Sequence, residues 1–178
     1  MPQTTSKKNN IVLIGFMGTG KSSIARQLHY LYEMKIAEMD QMLVEQEKMS
    51  IPDIFAQKGE PYFRNLETQL LRALQQENQL VISCGGGAAL RKENVVAMKE
   101  NGYVFLLTAS PETIYQRVGQ DLNRPVLNGR RSPEGIAELM ESRREKYELA
   151  ADCIISTENK NSRQLAEEIM NQFQVLNT

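Results

Sequence analysis

The sequence predicts an α/β protein, a three-layer sandwich built on a mainly parallel sheet. Three observations carry that expectation. Four short runs, IVLIG (11–15), LVISCG (80–85), YVFLLT (103–108) and CIIS (153–156), are nearly continuous in apolar character, as strands covered on both faces are, and MKIAEM (34–39) is a weaker fifth. Between them, segments 22–32, 66–74, 136–147 and 163–173 space their apolar residues as amphipathic helices do. Strands and helices alternate, which implies right-handed βαβ crossovers and places a ligand at the carboxyl ends of the strands.

The 178 residues suit one domain (1–178) around one core, without repeats, low-complexity blocks or linkers. Lys plus Arg (21) nearly balances Asp plus Glu (22), so no global field marks a nucleic-acid or membrane-surface binder, and any anion site must be local. The first ten residues, MPQTTSKKNN, are polar, and no run of 18 apolar residues occurs. A cytoplasmic monomer is expected. Cys84 and Cys153 sit at or near the ends of apolar runs and read as small packed thiols rather than a disulfide.

The first strand runs into GFMGTGKSS (15–23), which matches G-x-x-x-x-G-K-[ST] from Gly15 to Ser22. Its glycines let successive N–H groups curl around phosphate oxygens at the start of the next helix. Lys21 supplies a point charge for the β and γ phosphates, and the Ser22 hydroxyl suits magnesium. His29, two turns past Lys21, is too far along to reach phosphates, so any general base must be a carboxylate. KIAEMDQ (35–41) supplies two, Glu38 and Asp40, read as i and i+2 of one strand, expected beside the phosphate loop, and hence on one face.

SIPDIF (50–55) is a helix start, with Ser50 as N-cap, Pro52 in the first turn and Asp53 at the capping-box position. It leads to EPYFRNLE (60–67), where Arg64 follows Phe63 and has Glu60 and Glu67 at helical spacing. CGGGAAL (84–90) ends a strand with Gly85, Gly86 and Gly87, whose backbone a ligand can approach without obstruction by Cβ. The polar, basic stretch RVGQDLNRPVLNGRR (117–131) suits a flap carrying arginines over phosphates. SRREKYELAAD (142–152) adds Arg143 and Arg144 before the last strand. A guanine-nucleotide switch needs N-K-x-D, and NKNS (159–162) has Ser where the Asp belongs.

Together GFMGTGKSS, the acid pair, MSIPDIF, FRNLE, the glycine triplet, NRPVL and the R-x-x-x-Y-x-x-x-A-D spacing from Arg143 to Asp152 resemble the shikimate kinase family over essentially the full chain. The resemblance implies a nucleoside-monophosphate-kinase-like P-loop fold with a five-stranded parallel sheet, a core over 10–175, a substrate-binding helical segment at about 40–70 and a mobile lid at about 118–131. It implies ATP- and magnesium-dependent phosphorylation of the shikimate 3-hydroxyl, with ATP held by Gly18, Thr19, Gly20, Lys21, Ser22, Ser23, Arg117 and Arg124. Lys21, Asp40 and Arg124 would be catalytic, and Asp40 would address the acceptor hydroxyl. Arg64 and Arg143 would clamp the carboxylate, with Arg144 as the fallback for the second. The backbone of Gly85, Gly86 and Gly87 would contact the ring hydroxyls, and Phe55 and Phe63 would wall the ring, although core packing explains Phe55 equally. The loop 157–163 would border the adenine. Ser22 and Glu38 are the metal candidates; the family's usual residue at position 38 is Asp, and Glu adds one methylene, roughly 1.5 Å of reach. Two alternatives stand beside this reading. One is a sugar-acid kinase of the gluconate type, and the other is a nucleotide-binding module that has lost catalysis.

Overall fold

Side chains of β1 (Asn10–Gly15) alternate between two cores, as a strand covered on both faces requires. Ile11 and Leu13 pack with Ile24, Ala25 and Leu28 of α1 (Lys21–Tyr32) and with Leu165, Ala166 and Ile169 of α8 (Ser162–Leu176). Val12 and Ile14 face the opposite layer, made by α4 (Glu60–Leu74), α5 (Lys92–Asn101), α6 (Pro111–Val118) and α7 (Pro133–Ala150). A third, smaller core of Leu43, Ile54, Phe63 and Leu66 joins α2 (Met39–Glu47) and α3 (Ile51–Lys58) to α4. The computed structural model describes residues 7–122 and 124–178; MPQTTS at the start and Asn123 of NRPVL lie outside the described residues.

Five parallel strands follow the order β2 (Lys35–Glu38), β3 (Leu80–Ser83), β1, β4 (Gly102–Thr108) and β5 (Cys153–Ser156). The expected three-layer sandwich is therefore present. The two end strands are partly uncovered, so only the inner three match the fully buried pattern.

Three details differ from the sequence expectation. β2 ends at Glu38 and α2 starts at Met39, so Asp40 sits in the first turn of a helix and not two residues along a strand. The reason is the helical spacing of Met39 and Leu43, both fully buried, which turns the chain directly after the strand. β2 pairs with β3, opposing Glu38 to Ser83, and so stands one strand away from the phosphate loop on β1. Helices α5 and α6 were not expected. In α5 a polar residue, Asn94, takes part of the buried face, and α6 has only Ile114 and Val118 buried, so neither shows a full apolar stripe. The readable sign of α6 was its start, where Ser110 accepts from the Thr113 N–H and Pro111 follows. The Ser50 cap on α3 is as expected, accepting from the Asp53 N–H at 3.2 Å.

Asn10 ties the start of the sheet together: its amide donates to the Glu77 carbonyl at 2.9 Å and its carbonyl accepts the Leu80 N–H at 3.0 Å, in a fully buried position. Asn10→Ala leaves a buried N–H without a partner and is expected to cost about 2 kcal/mol, read as a lower denaturation midpoint with unchanged slope.

Candidate active site

The loop between β1 and α1 has the backbone that an anion cradle needs. Gly18 and Gly20 take φ of 79° and 92°, in the left-handed region where a side chain is strained. Gly20 stands at the N-cap of α1 without any side-chain cap, and the first turn has no acid, so the first N–H groups of the helix are left for a ligand. The Lys21 ammonium folds back and donates to the carbonyls of Gly15 (2.8 Å) and Phe16 (3.1 Å). Burial lowers its pKa to about 8, opposed by the negative charge of neighbouring groups including Asp40 and Glu38. Thr19 is buried and spends its hydroxyl on the Phe16 carbonyl at 2.8 Å, so it shapes the loop from behind.

A cavity of about 500 Å³ opens in front of this loop. Gly18, Gly20, Lys21, Ser22 and Ser23 form one side; Glu38 and Asp40 face them; Gly85, Gly86 and Arg124 complete the wall. Met17, Arg26, Gln41, Ser83 and Cys84 also line it, at positions to which no motif in the sequence assigns a role in the site. Asp40 opens to the cavity, yet the surrounding protein desolvates it and raises its carboxyl pKa, with Glu38 adding to the rise and Lys21 opposing it. The Cys84 thiol is buried and pushed up by burial, which keeps it a neutral, unreactive wall.

The glycine turn after β3 gathers the remaining charges. A Cβ at Gly85 would stand 2.7 Å from Asp40 Oδ1, one at Gly87 would stand 2.6 Å from Arg64 Nη1, and one at Gly86 would meet Arg143 Nη1 at 3.5 Å. Asp40 of α2, Arg64 of α4 and Arg143 of α7 thus converge on three consecutive residues without side chains. Among the described residues the N–H groups of Gly85, Gly86 and Gly87 donate to no protein acceptor.

Arg64 is held by two acids of its own helix: Nη1 donates to Glu67 at 2.7 Å, and Nε and Nη2 donate to Glu60 at 3.3 and 3.2 Å. Glu67 is only 1% exposed; burial raises its pKa while Arg64 opposes the rise. Both helical partners weighed for Arg64 are therefore engaged, and the pairs brace the guanidinium at the glycine turn. Phe63 does not line the cavity. It is 3% exposed, stacks on Phe55 at 5.0 Å between ring centroids, and lies under the Arg64 guanidinium. Arg144 points elsewhere and pairs with Glu141 at 2.8 Å, whereas Arg143 stands over the Phe16 ring at the site.

On the far side of the loop, Arg117 Nη1 donates to the Gly18 carbonyl at 2.9 Å, and Arg124 Nε pairs with Asp121 at 2.9 Å. Glu158, in the loop after β5, accepts from the Ser110 N–H and the Thr113 hydroxyl and fixes that loop to α6. His29 points away and meets the Met34 carbonyl through Nδ1 at 2.8 Å. Cys84 and Cys153 are both free thiols.

A phosphate loop at the head of a five-stranded parallel sheet, opposed across one cleft by a carboxylate on another element, defines a phosphate-loop kinase of the α/β class. Comparison with known proteins narrows the class. The shikimate kinase family model matches residues 17–174. A shikimate kinase of Geobacter metallireducens is 40% identical over 164 residues, which is 92% of this chain and 91% of that protein. The structure of shikimate kinase from Acinetobacter baumannii in complex with shikimate superposes with a TM-score of 0.87 at 31% identity, covering 95% of this chain and 94% of the other. Shikimate kinase from Aquifex aeolicus gives 0.80 at 33% identity, covering 93% and 96%. The chain belongs to the shikimate kinase family, and its members are ATP-dependent phosphotransferases acting on an alcohol group of shikimate. The gluconate-type alternative is not favoured by these likenesses.

The lowered Lys21 pKa generates a testable expectation. A phosphate beside Lys21 would stabilise its protonated amine and raise its pKa, so binding above about pH 8 is expected to take up a proton. ATP affinity is expected to fall by up to about tenfold per unit above about pH 8. Calorimetry in buffers of different ionisation enthalpy checks the uptake at pH 9, and Lys21→Met should remove it.

Proposed function

We propose that this chain transfers the γ-phosphoryl group of ATP to the 3-hydroxyl of shikimate, with Asp40 taking the hydroxyl proton. The observation that carries the proposal is the convergence of Asp40, Arg64 and Arg143 on the glycine turn beside the phosphate loop. The acceptor carries one carboxylate and several hydroxyls. Arg64 and Arg143 offer planar forks for the carboxylate. The free N–H groups at 85–87 suit ring oxygens, and Asp40 stands where the reacting hydroxyl would face the loop. Phe63 serves by supporting Arg64. The relative crystallised with shikimate supports this acceptor.

In the transfer, the 3-oxygen of the acceptor forms a bond to the γ phosphorus as the bond from that phosphorus to the β–γ bridging oxygen breaks, and Asp40 accepts the departing proton. Charge accumulating on the phosphoryl oxygens is met by Lys21, the uncapped N–H groups of α1 and Arg124, whose segment 118–131 acts as a lid. Arg117 and the loop 157–163 flank the adenine, Arg117 next to Gly18 and Glu158 holding the loop to α6.

Magnesium fits the donors present. Ser22 and Glu38 open onto the same cavity, and among the described residues no group of three His, Cys, Asp or Glu could hold an ion by itself. Two protein donors suit an ion that keeps several waters and binds through nucleotide phosphates. When bound, it would neutralise the β and γ oxygens. We take residues 1–178 as one kinase unit that works as a monomer in the cytoplasm.

Two variants test the assignment. Asp40→Asn is expected to lower shikimate-stimulated ADP release by about 100-fold or more while ATP affinity stays near normal; near-normal turnover removes Asp40 from its role. In Gly87→Ala the new Cβ meets the Arg64 guanidinium at 2.6 Å, so the guanidinium must shift against its pairs with Glu60 and Glu67. Stability should fall by about 1–3 kcal/mol, and the shikimate KM should rise by about tenfold or more through the displaced guanidinium.

A further inference from the structure

The glycine turn has a weakness that its function does not tolerate: with no side chains, it cannot anchor itself by packing. Two of its three carbonyls are held by the turn's own backbone, since Gly85 O accepts from Ala88 N at 3.1 Å and Gly87 O from Leu90 N at 3.2 Å. The third, Gly86 O, accepts from the Tyr147 hydroxyl at 2.5 Å, across 61 residues of sequence. Tyr147 is 5% exposed and its ring belongs to the main core. Arg143 lies one turn earlier on the same face of α7, and its guanidinium stands close enough to the hydroxyl to oppose the rise that burial causes in the tyrosine's pKa.

All peptide bonds in the described structure are trans, so the Gly86 carbonyl and the Gly87 N–H point in opposite directions from one rigid plane. A hydroxyl that fixes that carbonyl also fixes the donor on the other side. We propose that Tyr147 is a positioning residue for the acceptor: by holding the Gly86–Gly87 peptide plane it aims the Gly87 N–H, and it sets the distance between the turn and Arg143. This rests on the assignment of the glycine turn to shikimate made above. Tyr147 itself does not line the cavity in front of the phosphate loop. It acts on the binding of one substrate only, because the phosphate loop is held by separate contacts of Lys21, Thr19 and Arg117.

Tyr147→Phe tests this, since it removes the hydroxyl and keeps the ring in the core. The shikimate KM is expected to rise about tenfold, the effect of leaving one carbonyl unpaired, while kcat and the ATP KM stay within about twofold. A residue with a merely structural role would lower the active fraction, and so kcat, with both KM values unchanged; that result overturns the proposal. With glycine labelled by ¹⁵N, giving 11 reporters, the Gly87 amide should move further than the phosphate-loop glycines in the variant without ligand. A stationary Gly87 amide overturns the proposal as well. In wild-type protein, which needs no variant to fold, shikimate should shift the Gly86 or Gly87 amide, and absence of any shift at the turn refutes the aimed donor. A wild type that does not turn over shikimate overturns the acceptor assignment together with this proposal. A wild type that does, while Tyr147→Phe keeps its shikimate KM, overturns this proposal alone.

Discussion

Three charged side chains from three different helices meet where the main chain has no side chains, and the architecture of the site depends on that steric condition. Any Cβ at Gly85 or Gly87 would stand within 2.7 Å of Asp40 or Arg64, so the charges can approach the turn only because it is glycine. Charges in a cleft desolvated by the surrounding protein interact far more strongly than on the surface. Burial raises the Asp40 carboxyl and lowers the Lys21 amine, and the attraction between the two groups opposes both shifts.

Rigidity is supplied from outside the cleft. Lys21 is tied to the carbonyls at the end of β1, Arg64 is braced by Glu60 and Glu67, and Tyr147 holds the glycine turn from α7. Each tether leaves some donors of the group free to meet a ligand. That arrangement separates the parts that must be prearranged from the segment proposed as a lid, whose Arg124 is paired with Asp121 at a half-exposed position where the ion pair is weak. An exposed pair of this kind can be exchanged for phosphate oxygens at small cost, whereas the buried Arg64–Glu67 pair cannot be separated cheaply.

The small core formed by Leu43, Ile54, Phe63 and Leu66 explains why Asp40 and Arg64 arrive together. It locks α2, α3 and α4 into one unit, so an acid in the first turn of α2 and an arginine on α4 keep a fixed separation. Phe63 works through this packing and through its place beneath the guanidinium.

The sequence by itself determined the parallel α/β sandwich and the phosphate loop, because buried strands, helical spacing and G-x-x-x-x-G-K-S are local patterns with local physical causes. It also pointed to Asp40, Arg64, Arg143 and the glycine triplet through resemblance of short motifs. Only the tertiary structure decided that Asp40 leaves the strand for a helix, that β3 separates β2 from the phosphate loop, that Arg143 and not Arg144 stands at the glycine turn, and that Tyr147 closes the turn. These depend on contacts between residues far apart in the chain, such as the 61 positions between Gly86 and Tyr147. No local period or motif encodes such a contact; packing of the helices on the sheet creates it.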